Sequence, residues 1–142
     1  MKYLNPQIIY WDTSAVISTF FQDEHSEQAI YYAGLVGAAH LLSSLALAET
    51  HAVLNRLRRE GLLNDILIKA AVESLETGPW KHLKIVPDAA EIKALGKKWP
   101  LRGADLWHLA AAKTLQTEFP ELMLLTYDNR LHLAASGENL AK

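Results

Sequence analysis

The chain reads as an α/β protein: a three-layer α/β/α sandwich around a parallel sheet of four to five strands. Short apolar runs alternate along its whole length with amphipathic stretches of helical period, the pattern of strands joined by crossover helices. The runs over residues 8–11 and 122–126 are apolar without alternation, as expected of strands covered on both faces. No repeat, linker or low-complexity tract interrupts the pattern, and 142 residues suit one domain, here taken as 1–142.

The first strand is Ile8-Ile9-Tyr10-Trp11, β-branched and aromatic throughout. It runs directly into Asp12-Thr13-Ser14 and a short helix over 15–21. Gln22-Asp23-Glu24-His25 is a polar break. Residues 25–39 have helical period, with Ala29, Ile30, Ala33, Leu35 and Val36 on one side. His40-Leu41-Leu42-Ser43 is the second strand, and Ser44 is placed to cap a helix over 45–60 that Gly61 ends. A further amphipathic helix covers 63–76 and stops at Gly78-Pro79. Leu83-Lys84-Ile85-Val86 is expected as the third strand, closed by Pro87. Asp88 caps a helix to Trp99, Pro100-Leu101-Arg102-Gly103 breaks the chain, and 104–119 is strongly helical in composition. The fourth strand, 122–126, turns through Tyr127-Asp128-Asn129 into a last short helix reaching Ser136-Gly137.

The bulk numbers exclude several classes. There is no cysteine, hence no disulfide, cysteine zinc site or thiol nucleophile. No apolar run approaches the roughly 20 residues that span a bilayer. The first residues, Met1-Lys2-Tyr3-Leu4-Asn5-Pro6, lack an apolar signal core, so the cytoplasm is the expected compartment and no membrane is involved. A net charge of −2 is unlike that of proteins drawn to nucleic acid by a wide basic field, so any such contact must be local.

Four carboxylates stand out. Asp12 follows the first strand, at the edge where open α/β sheets bind ligands, although an aspartate there also suits a helix cap. Glu49 lies within an apolar stripe with Leu45, Ala46, Ala52 and Val53. A carboxylate so placed needs a cation or a partner, and Arg56, two turns on, is a candidate for the latter. Asp105 stands in the first turn of its helix, where the dipole alone would favour it. His108 shares its face and reads as a packed or supporting histidine rather than a ligand, because a carboxylate-rich site favours hard oxygen donors. Asp128 follows the fourth strand and is also a cap candidate. Together the four are expected to converge at one sheet edge as a site for Mg²⁺ or Mn²⁺, ions able to assist phosphodiester hydrolysis.

The same residues carry a resemblance. Ile9-Tyr10-Trp11-Asp12-Thr13-Ser14-Ala15 resembles the opening motif of PIN domains, and Ser44-Leu45-Ala46-Leu47-Ala48-Glu49 their second. Residues 101–110, around Gly103-Ala104-Asp105, are similar to the third, and Leu125-Thr126-Tyr127-Asp128-Asn129-Arg130-Leu131 to the fourth. The compact length is most like the VapC-type toxins of toxin–antitoxin pairs. The resemblance implies a metal-dependent ribonuclease acting on RNA, with Asp12, Glu49, Asp105 and Asp128 as metal-site acids. Thr13 or Ser14 would supply a hydroxyl near metal or phosphate. It also implies a homodimer and an inhibiting antitoxin protein. Two features depart from the pattern: Trp107 is bulky beside the third acid, and residues 139–142 are short for a fifth strand.

Arg102 and Arg130 adjoin Asp105 and Asp128 and are the best candidates for RNA phosphate contacts, with Arg56, Lys97 and Lys98 behind them. Two other readings compete. A catalytically silent PIN-fold module would bind RNA or protein at the acidic edge. A phosphatase-like hydrolase would use Asp12 as a covalent nucleophile, but position 14 holds no second acid.

Overall fold

The computed structural model describes residues 3–141. In chain order it comprises β1 (Ile8–Trp11), α1 (Thr13–Phe20), α2 (Ser26–Ala33), β2 (Ala39–Ser43), α3 (Ser44–Arg59) and α4 (Asp65–Thr77). β3 (Trp80–Leu83), α5 (Ala89–Lys98), α6 (Gly103–Gln116), β4 (Met123–Leu125) and α7 (Asn129–Gly137) complete it. The strands form one sheet in the order β3-β2-β1-β4, with every pair parallel.

Alternation of side chains along the strands divides the interior into two layers. Tyr10 and Leu124 point to one face, where Leu95 of α5, Leu109 of α6 and Leu131 of α7 bury them. Ile9, Trp11, Leu42 and Leu125 point to the other, packed with Val16 of α1, Tyr32 of α2, Ala46 of α3 and Leu75 of α4. Both faces of β1 are thus covered, which is why its sequence is apolar without a break. The α/β/α sandwich expected from the sequence is the observed architecture.

Local signals explain most element ends. Ser43, rather than Ser44, caps α3 by accepting from Ala46 N–H at 3.1 Å. Asn64 caps α4 and Asp88 caps α5 by the same kind of bond. Gly61, at φ +72°, makes the left-handed turn after α3 that a Cβ would strain. α2 is shorter than the 25–39 expected. Gly34 stands at its C-cap, and Val36, counted among the inward residues, is fully exposed.

The third strand was misplaced. It is Trp80–Leu83, paired with β2 from His40↔Trp80 to Ser43↔Leu83, whereas Val86 is 87% exposed outside it. β3 lies at the edge of the sheet and is covered mainly through Trp80, whose ring meets Trp11 and Phe20 edge-on. Lys81 and His82 point to solvent, so the run lacks the apolar signature of an inner strand. At the opposite edge Leu124 N–H donates to Leu140 O at 2.7 Å, but residues 138–141 form no fifth strand among the described residues. No described helix is long and apolar enough to cross a membrane.

Candidate metal centre

β1 has β2 on one side and β4 on the other: the chain runs outward from β1 through β2 to β3, then crosses back past β1 to β4, reversing direction there. Such a switch point opens a crevice beyond the carboxyl ends of the strands. Asp12 stands there. Its backbone N–H continues the ladder to Leu125 O at 3.0 Å, and its carbonyl accepts from Ala15 and Val16 to start α1. Its side chain does not cap that helix. Instead Oδ2 accepts from Ser14 Oγ and from Thr126 Oγ1, each at 2.8 Å, and the residue is 5% exposed. The capping explanation of Asp12 therefore fails: its carboxylate is held at the sheet edge by two hydroxyls.

Glu49 projects from the second turn of α3 toward the same crevice. Its Oε1 accepts from Thr13 Oγ1 at 3.1 Å and is 2.7 Å from His108 Nε2. The hydrogen bond from His108 is the main reason its carboxyl is held below the usual range, against the opposing effect of burial. Arg56 is not its partner; that guanidinium faces Glu60 at 4.0 Å near the surface. His108 is buried on α6, with Nδ1 2.7 Å from the Tyr10 hydroxyl and Nε2 3.8 Å from Asp12 Oδ1. Asp12, Glu49 and His108 each offer a donor atom within 4.8 Å of the others.

Asp105 lies one turn before His108 on α6. Its carboxyl is pushed above the ordinary range, first by burial and then by the charges of Asp128, Asp12 and Glu49. Asp105 and Asp128 are not among the residues whose donor atoms lie within 4.8 Å of one another; that group is Asp12, Glu49 and His108. Asp128 is exposed and does cap α7, accepting from Leu131 N–H at 2.9 Å through Oδ1. A capping oxygen and a second, free to face the crevice, are compatible in one carboxylate.

The hydroxyls expected beside metal or phosphate are engaged with the acids: Thr13 with Glu49, and Ser14 with Asp12 and with the Tyr127 N–H. Thr126 was missed by sequence reasoning. It is buried and joins the two strand ends, donating to Asp12 and accepting from Asp128 N–H at 3.1 Å. Its position, two residues before an acid at a strand end, was the available signal. Arg102 and Arg130 are exposed, at the N-cap of α6 and in the first turn of α7. Lys98 is engaged elsewhere, 2.6 Å from Glu138. Trp107 packs against the α5–α6–α7 core and edge-on to His108. The donors gathered here are chiefly carboxylate oxygens, a set that fits hard divalent cations such as Mg²⁺ or Mn²⁺.

The sequence pattern of the PIN domain family matches residues 9–136. Among solved structures, FitAcB from Neisseria gonorrhoeae is similar with a TM-score of 0.62 and 19% identity, covering 94% of each chain. PAE2754 from Pyrobaculum aerophilum has a TM-score of 0.56 and 18% identity over 89% of this chain and 83% of that one. VapBC2 from Rickettsia felis, solved bound to a DNA fragment from its promoter, has a TM-score of 0.56 and 13% identity over 85% and 99%. At these identities the likeness is one of fold. Comparison with curated proteins gives no significant match.

Proposed function

The chain belongs to the PIN domain family, and from that premise we propose that it is a single-domain, Mg²⁺- or Mn²⁺-dependent endoribonuclease, the toxin of a VapBC-type toxin–antitoxin pair. The observation that supports the reading is the gathering of Asp12, Glu49 and His108, each with a donor atom within 4.8 Å of the others, with Asp105 one turn before His108 on α6. Asp12, Glu49, Asp105 and Asp128 would hold the cation. When bound, a divalent ion supplies the Lewis acid and promotes water as nucleophile for hydrolysis of an RNA phosphodiester. The chain's own residues orient. Ser14 and Thr126 fix Asp12 through Oδ2, Thr13 and His108 fix Glu49 through Oε1, and α6 carries Asp105 on a rigid first turn. Arg102 and Arg130, exposed on the elements that carry Asp105 and Asp128, would meet flanking phosphates.

An antitoxin protein and a second copy of the chain are the proposed partners. Leu62, Ile66 and Leu67 expose apolar surface around the start of α4, and Ile30 and Val36 do so around the end of α2. The cytoplasm is the proposed compartment.

The test is cleavage of a labelled RNA by purified protein with Mg²⁺, with Mn²⁺ and with EDTA. Cleavage with either metal and none with EDTA is expected. RNA bound but left intact under all three conditions would favour the silent-module reading instead.

A further inference from the structure

The hydrogen bonds behind Glu49 form a chain with a direction. Ser43 Oγ accepts the Ala46 N–H that caps α3, which leaves its own proton to donate. Ser43 eases the ionisation of the Tyr10 phenol against the effect of burial. Tyr10 is fully buried, and its proton meets His108 Nδ1 at 2.7 Å. A neutral imidazole that accepts at Nδ1 carries its proton on Nε2, which lies 2.7 Å from Glu49 Oε1. Each donor thus has one acceptor, and the last acceptor is an acid of the centre. The chain starts on β1 two residues before Asp12, crosses α6 one turn after Asp105 and ends on α3.

We propose that Tyr10 and His108 are positioning residues for the acid centre. They pin Oε1 of Glu49, so that Oε2 is the oxygen presented to the cation. Although His108 lies close enough to Asp12 and Glu49 to be counted among possible ligands, both of its ring nitrogens are engaged and it leaves no lone pair for metal. Groups that orient a ligand from behind in this way govern metal affinity nearly as strongly as the ligands do. The inference rests on the metal-dependent reading above.

Two substitutions of one side chain separate this role from packing. In His108→Gln the amide sits where Nε2 was and still donates to Glu49. In His108→Asn it sits where Nδ1 was and meets only Tyr10. Mn²⁺ is titrated into metal-free protein by calorimetry, and kcat and KM for RNA are measured alongside. His108→Asn is expected to weaken Mn²⁺ binding by about tenfold to a hundredfold and to lower kcat with little change in KM. His108→Gln is expected to stay within about threefold of wild type, and Tyr10→Phe to fall between the two. Nitrogen-15 NMR of metal-free wild type is expected to show His108 as the Nε2–H tautomer with a slowly exchanging proton.

Equal Mn²⁺ affinity in all variants, or equal loss in Gln and Asn variants, overturns the proposal. So does the Nδ1–H tautomer, which reports on the chain even if the His108 variants do not fold. A wild-type protein with the expected tautomer that takes up no Mn²⁺ and cuts no RNA overturns the ribonuclease reading itself, and the chain's role with it.

Discussion

Asp105 and Glu138 are both carboxylates withdrawn from water, and they titrate in opposite directions. Helix dipoles would order them the other way. Asp105 stands in the first turn of α6, where the dipole favours a negative charge, and its carboxyl is raised. Glu138 stands at the C-cap of α7, where the dipole disfavours one, and its carboxyl is lowered. Neighbours decide both. Burial opposes ionisation of Glu138, but Lys98 Nζ at 2.6 Å, Trp99 Nε1 at 3.0 Å and Lys113 Nζ at 3.3 Å outweigh it. Around Asp105 burial is joined by three further acids. One site is closed on itself by the chain's own cations and joins α5, α6 and α7. The other gathers negative charge at the ligand edge of the sheet, as a binding site for a cation from solution does and a structural ion pair does not.

The largest expected difference between the two regions is in activity. Asp12→Ala and Asp105→Ala should reduce RNA cleavage to the level of the EDTA control while circular dichroism stays that of wild type. Glu138→Gln should cleave like wild type per folded molecule. Full activity in either acid variant would remove the strand-end site, and an inactive but folded Glu138→Gln would erase the contrast.

Stability should show the reverse order. Glu138→Gln weakens two charge-assisted bonds and should lower stability by about 2 kcal/mol. For a chain of this length that is roughly 6 °C in Tm, readable by calorimetry. A shift under about 1 °C would mean that the lysines gain as much from water as from Glu138.

The pH dependence follows from the signs. Glu138 has its folded pKa below the ordinary 4.5, so its stabilisation is complete above that value and is lost as pH falls through the folded one. Asp105 has its folded pKa above the ordinary 3.8, so in EDTA it subtracts stability as pH rises from there through the folded value. Urea midpoints from about pH 3 to about pH 7 should lose part of their acid-side rise in Glu138→Gln. They should lose part of their decline toward neutrality in Asp105→Asn. Identical profiles in both variants would deny the opposite signs.

RNA binding should respond only mildly to salt. With few basic residues near the acids, the slope of log affinity against log salt should be shallow, about −0.7 per phosphate met by a single strand. Asp12→Ala protein in a salt series reads it, and a slope like that of a strongly basic binder would contradict local contact.

The two regions were not equally legible in the sequence. Asp12, Glu49, Asp105 and Asp128 could be singled out because each is tied to a local signal: a strand end, an apolar helical stripe or a helix start. What holds them was not. Thr126 meets Asp12 across 114 positions of sequence, and Tyr10 meets His108 across 98, so no spacing rule reaches either pair. The Glu138 cluster is hidden for the same reason, since Lys98 and Trp99 precede it by about forty residues and read as ordinary helix-end residues. Among the strands, the inner ones were visible in their unbroken apolar runs. The edge strand Trp80–Leu83 was missed because one buried tryptophan carries most of its contact with the core. Asp128 remains readable in two ways, as a cap by its bond to Leu131 and as a charge acting on Asp105.

The central claim is that the strand-end acids repel one another until a cation joins them, and thermal melts of wild type and Asp105→Asn, each in EDTA and in excess Mg²⁺, test it most directly. Asn keeps the size of the side chain and deletes one charge, forfeiting about 0.3–1 kcal/mol of dipole stabilisation. If the acids converge as described, the variant melts above wild type in EDTA and gains less from Mg²⁺. If it melts below wild type in EDTA and gains as much from Mg²⁺, Asp105 serves its helix alone and the cation site does not include it.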